Sequence, residues 1–236
     1  MFGKVHALTM MMTIKKNLWN SVQKGQIKSQ LILIQFTIGI LFGIFTSSAH
    51  SATKTLLVLG DSLSAEYGLA RGTGWVALMQ QRLQEQHIDA NVINASISGE
   101  TTSGGKARLP QLLQSHHPDI LIIELGSNDA LRGLSLRASE TNFRDMIKMA
   151  QQEKVKVLLV GMRIPPNYGR DYTEQFFSIY ARVAKETRSG LVPFLLDGIA
   201  EKIEFFQNDR IHPLASAHPV LLNNVWPPLQ SLLHQK

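Results

Sequence analysis

The chain has 236 residues, 44% of them hydrophobic and none a cysteine. That length suits one domain with a sizeable core, and the missing cysteines exclude disulfides, thiolate metal sites and a cysteine-linked lipid anchor. The formal net charge of +6 is concentrated in the first 51 residues, where five lysines meet no acidic residue; without them 24 basic against 18 acidic side chains become 19 against 18, too balanced to point to nucleic acid.

Those first residues come in three parts. Lys4, Lys15, Lys16, Lys24 and Lys28 make a basic lead-in, with Met12 an alternative start. Leu31 to Phe45 is apolar apart from Gln35 and Thr37 among polar types, and Ser47-Ser48-Ala49-His50-Ser51-Ala52 is mostly small. A basic start, an apolar run and a small-residue exit describe a secretory signal peptide. The run is shorter than the roughly 20 residues of a membrane-spanning helix. Residues 1–51 are therefore expected to be cleaved after Ser51, leaving 52–236 as one periplasmic or secreted domain with no stable membrane anchor.

Beyond the leader, Thr55-Leu56-Leu57-Val58-Leu59 is a short apolar run that reads as a buried strand, ended by Gly60. Helical spacing follows over Trp75–Gln86, with a second strand at Val92–Ala95. Ala107–Leu113 reads as a helix with Pro110 in its first turn. Ile120–Leu125 is the strongest strand, before a helix from about Ala138 to Gln152. Val155–Val160 is a fourth strand, Thr173–Thr187 a helix, and Leu191–Leu196 a fifth strand. The last helix, Val220–Leu233, is expected to break at Pro227-Pro228. Nearly continuous apolar strands alternating with helices predict an α/β three-layer sandwich around a parallel sheet of about five strands.

In such a sheet all strands end at one edge, where open α/β folds bind ligands. Three strand ends run into polar, glycine-bearing turns: Gly60-Asp61-Ser62, Ser96-Ile97-Ser98-Gly99 and Gly126-Ser127-Asn128-Asp129. Near the C-terminus stands Asp209-Arg210-Ile211-His212, whose spacing of three lets one turn set the carboxylate against the imidazole. Ser62 needs a base to become a nucleophile, His212 can be that base, and Asp209 would orient it. The Ser62 amide, Gly99 and Asn128 are candidate oxyanion donors. Taken singly, Asn128 and Asp129 also suit a helix cap. Leu131, Leu134 and Leu136 either line an acyl groove or cover the core. The residues around Gly105-Lys106 lack the other positions of a phosphate loop, and no G-x-S-x-G elbow surrounds Ser62. His116-His117 and His212…His218 have no partners arranged for zinc and read as surface histidines, so no metal or other cofactor is expected.

Gly60-Asp61-Ser62-Leu63-Ser64, Gly99, Gly126-Ser127-Asn128-Asp129 and Asp209-x-x-His212 resemble the four blocks of the SGNH, or GDSL, hydrolases. Asn94 to Thr101, Ala107-Arg108-Leu109-Pro110, Glu124-Leu125-Gly126 and Pro166-Asn167-Tyr168-Gly169-Arg170 resemble its thioesterase I/lysophospholipase L1 branch. The resemblance implies a flavodoxin-like fold, a nucleophile at Ser62, a triad with Asp209 and His212, and export to the periplasm. It implies a serine esterase or thioesterase that cleaves fatty acyl esters, thioesters and lysophospholipids, small-molecule substrates, through an acyl-enzyme; the protein is expected to be a monomer. A carbohydrate deacetylase with the same triad and a noncatalytic periplasmic binding protein are the alternatives. Two departures stand out: Ser127 replaces a second glycine before Asn128, and Leu214–His218 replaces a polar stretch.

Overall fold

The computed structural model describes residues 11–25 and 53–235. The chain divides into two units, Met1–His50 and Ser51–Lys236. In the first, residues 11–25 form a helix, α1, with exposed side chains. The apolar run Leu31–Phe45 and the expected cleavage point lie outside the described residues. Among the described residues no helix is long and apolar enough to cross a membrane.

The second unit runs β1 (Lys54–Gly60), α2 (Trp75–Glu85), β2 (Ala90–Asn94), α3 (Thr102–His116), β3 (Ile120–Glu124), α4 (Ser127–Leu131), α5 (Leu136–Gln152), β4 (Lys156–Val160), α6 (Arg170–Thr187), β5 (Gly190–Val192) and α7 (His218–His234). All five strands are parallel, in the order β2-β1-β3-β4-β5. Helices α2 and α7 cover one face, and α3, α5 and α6 the other. This is the three-layer sandwich expected from strands as apolar as Leu56–Leu59 and Ile120–Ile123, which are buried on both faces.

Three elements differ from the sequence reading. Helix α3 begins at Thr102, because Thr101 caps it by accepting the Gly104 N–H. Pro110 therefore lies in mid-helix and not in the first turn. Helix α7 runs unbroken through Pro227 and Pro228. Two helix prolines cost about 3 kcal/mol each. Leu221, Leu222, Val225, Trp226, Leu229, Leu232 and Leu233 are buried on the same helix, each contributing about 1.5–3 kcal/mol, so burial prevails. Strand β5 stops at Val192, since Pro193 has no N–H to continue the ladder. The chain turns there instead, with the Leu195 N–H bonding the Gly161 carbonyl.

Gly105 shows why α3 can lie so close to the sheet. A Cβ there would stand 2.4 Å from a methyl carbon of Leu125. His218, expected at the surface, is buried at the start of α7. Its Nδ1 accepts the Trp75 N–H at the start of α2, at 2.9 Å, and burial lowers its pKa.

Candidate active site

The turn after β1 is held by its own backbone. Ser64 and Ala65 N–H groups bond the Asp61 carbonyl, Leu63 N–H bonds Asp61 Oδ1 at 3.0 Å, and Tyr67 N–H bonds the Ser62 carbonyl. Ser62 Oγ stands 2.9 Å from His212 Nε2, and His212 Nδ1 stands 2.7 Å from Asp209 Oδ2. With Asp209 ionised, Nδ1–H donates to it and Nε2 is free to accept the Ser62 hydroxyl proton. Asp209 Oδ1 also accepts the N–H groups of Ile211 and His212. Against the raising effect of burial, the His212 ring and these two N–H groups hold the carboxyl down to about 2. Between them, Arg210 takes φ +58, the left-handed conformation that closes this tight loop. The ring of Tyr67 lies against the imidazole, with centroids 4.3 Å apart.

Asn128 sits in α4, directly after β3. Its Nδ2 donates to Asp61 Oδ2 at 2.9 Å, which fixes its carboxamide beside the Ser62 turn. Gly126 precedes it with φ +103, where a Cβ would stand 2.6 Å from the Tyr180 hydroxyl, so glycine is required. Asp129 is buried and accepts from Thr102 N–H, Thr102 Oγ1 and Ser139 Oγ, tying α3, α4 and α5 together. It does cap a helix, α3, while its neighbour Asn128 faces the crevice. Ser127 is also buried, and its Oγ has no bonding partner. Gly99 lies in the turn after β2, next to β1, at φ +80, and its carbonyl accepts from Arg132.

A cavity of about 670 Å³ opens beside Ser62, Asn128 and His212. Leu131 lines it, but Leu134 and Leu136 do not. Leu134 is 44% exposed, and Leu136 packs against the core. This corrects the expected trio: α5 starts at Leu136 and turns that side chain inward. The apolar walls come from Met162, Ile164, Phe194, Leu196, Phe206 and Ile211. Most of these follow β4 and β5, strand ends that the parallel sheet brings to the same edge, and the sequence reading missed them. Among the described residues no group of three or more His, Asp or Glu side chains is placed to hold a metal ion.

Residues 58–219 match the model of the GDSL-like lipase/acylhydrolase family. The chain is 49% identical over 184 residues to the protein named Esterase TesA of Pseudomonas aeruginosa, covering 78% of this chain and 92% of that one. It is 39% identical over 194 residues to thioesterase 1/protease 1/lysophospholipase L1 of Escherichia coli K12, covering 82% and 92%. The crystal structure of TesA superposes with a TM-score of 0.74 over 76% of this chain and 99% of that one, at 49% identity.

Proposed function

This chain belongs to the GDSL-like lipase/acylhydrolase family, and from that premise we propose how its own residues hydrolyse acyl esters. The enzyme is a serine hydrolase. In our reading Ser62 Oγ attacks the acyl carbonyl while His212 Nε2 takes its proton, and Asp209 holds the imidazole in the tautomer that can accept it. The tetrahedral oxyanion is met by the Ser62 amide, the Gly99 amide and the Asn128 carboxamide. Its collapse breaks the bond to the leaving alcohol or thiol, which receives the proton from His212. Water, deprotonated by the same nitrogen, then cleaves the Ser62 acyl-enzyme and releases the acid. The observation that carries this reading is the continuous line Ser62 Oγ–His212–Asp209, with contacts of 2.9 and 2.7 Å at the mouth of the cavity.

The apolar wall beyond Ser62 supports an acyl chain of medium to long length, in esters, thioesters and lysophospholipids. Each fully buried methylene contributes about 0.8 kcal/mol, or roughly fourfold in kcat/KM. A series of p-nitrophenyl esters from acetate upward tests this: kcat/KM should climb with chain length and level off when the cavity is full. A maximum at acetate followed by a steep fall would instead fit removal of acetyl groups from carbohydrates. The leader supports a further proposal, that residues 1–51 direct export and are removed, leaving 52–236 in the periplasm. Recovery of protein with its N-terminus near Ala52 would support cleavage, and recovery of the intact Met1 or Met12 form alone would overturn it.

A further inference from the structure

Two carboxyl groups lie beneath the Ser62 turn, and neither belongs to the Ser62–His212–Asp209 line. Glu124, the last residue of β3, pairs in register with Gly60 and is fully buried. Asp61 is 1% exposed. Glu124 Oε2 accepts the Ser64 hydroxyl at 2.7 Å and the Asp61 N–H at 3.4 Å, while Oε1 has no donor. Asp61 in turn bonds Leu63 N–H through Oδ1 and Asn128 Nδ2 through Oδ2. The two carboxyl groups lie close enough to influence each other, and a hydrogen bond between them requires a proton on one. No lysine or arginine of the described residues forms an ion pair with either. The titratable groups facing the pair are His212 and the buried Tyr180. Two adjacent carboxylates cannot both ionise in such surroundings, so one stays neutral.

We propose that Glu124 is a positioning residue for acyl transfer: it remains a neutral acid and donates to Asp61, whose carboxylate fixes the Asn128 carboxamide at the oxyanion position. The assignment of the proton follows from the contacts. Asp61 already accepts two N–H donors, which favour its ionised form, whereas Glu124 has an oxygen with no donor. Burial raises Asp61 to about 6, and burial together with the Asp61 charge raises Glu124 as well. A glutamate inside an otherwise apolar strand, Ile120-Leu121-Ile122-Ile123-Glu124, is thereby explained. Its place is next to the nucleophile turn, and its charge is never expressed.

This inference rests on the hydrolase reading above, and the test separates the two. Glu124→Gln keeps an oxygen for Ser64 and an N–H donor for Asp61, so kcat should stay within about threefold of the parent, less than the loss of one hydrogen bond would cause. Glu124→Met removes both and should lower kcat by about 10²-fold with KM nearly unchanged, the scale set by one lost oxyanion donor. Infrared difference spectra at pH 7.5 give a readout independent of turnover and of how well the Met variant folds. The parent should show a protonated-carboxyl band that is absent from Glu124→Gln. The inference is overturned if that band is missing, if Glu124→Gln loses as much kcat as Glu124→Met, or if Glu124→Met keeps full activity. Fluorophosphonate labelling of the parent at Ser62 stands apart from all three outcomes. If that labelling fails, it is the hydrolase reading that falls.

Discussion

Single side chains decide the chemistry, and several can be tested alone. Asp209→Asn would offer His212 Nδ1 an amide that can present the wrong group, so kcat should fall by several orders of magnitude, up to about 10⁴. Steady-state kinetics showing a loss below about tenfold would remove Asp209 from the orienting role. Asn128→Ala should cost about 10²–10³ in kcat with little change in KM, and a rise in KM alone would make Asn128 a substrate-binding residue. Asp61 gives a pH signature with two opposed signs. Its carboxyl titrates near 6 in the fold because burial raises it, against 3.8 when unperturbed. The folded protein thus holds this proton where the unfolded chain has released it, so Asp61 favours the fold at low pH and loses that contribution as pH rises through about 6. Activity should run the other way, because the Asp61 anion accepts from Asn128 more strongly than the neutral acid does. Thermal unfolding of the parent and of Asp61→Asn between pH 4.5 and 7 should show the difference between them shrinking in the parent's disfavour as pH rises; a constant difference would contradict the shift. The meeting of Ser62, His212 and Asp209 was legible in the sequence because few residue types suit such a relay and their spacing allows it. The Tyr67 ring on His212 was not, because an exposed aromatic beside a turn carries no pattern of its own.

Elements were legible where periodicity was strong and obscure where local chemistry competed with packing. The buried runs of β1 and β3 announced themselves. The start of α3 did not, since its first turn contains Gly104 and Gly105 and depends on the Thr101 cap. The close approach of α3 to the sheet explains that composition and gives a test. Gly105→Ala places a methyl against Leu125 and should destabilise the fold by about 1–3 kcal/mol, the usual cost of overpacking, as measured by urea unfolding. A neutral or stabilising result would show that α3 can shift outward freely. The Pro227-Pro228 pair misleads for the converse reason: local propensity argues for a break, and seven buried side chains argue more strongly against it. The leucine trio divides at this scale, with Leu131 alone lining the cavity. Spacing alone could not tell that α5 begins at Leu136, which turns one leucine inward and leaves Leu134 in solvent. Leu134→Asp should therefore leave the chain-length dependence of ester hydrolysis unchanged, while Phe206→Asp should flatten it by putting a charge in the apolar wall.

At the scale of the whole molecule, the parallel sheet gathers distant stretches of chain. The edge at which the five strands end brings residues of the loops after β1, β3, β4 and β5, from Ser62 to His212, around one cavity. That much followed from apolar strands alternating with helices, before any side chain was placed. What did not follow was the shape of the cavity, because its walls come from the β4 and β5 loops, whose residues have no chemical pattern, only a position. The central claim is that acyl groups pass through Ser62. It is tested most directly by mixing the enzyme with a p-nitrophenyl acyl ester, quenching in acid during turnover and mapping the acyl adduct by peptide mass spectrometry. The account predicts an added acyl mass on the peptide carrying Ser62, absent from Ser62→Ala, which should fold normally and hydrolyse almost nothing. An adduct on another residue, or full turnover by Ser62→Ala, would contradict it.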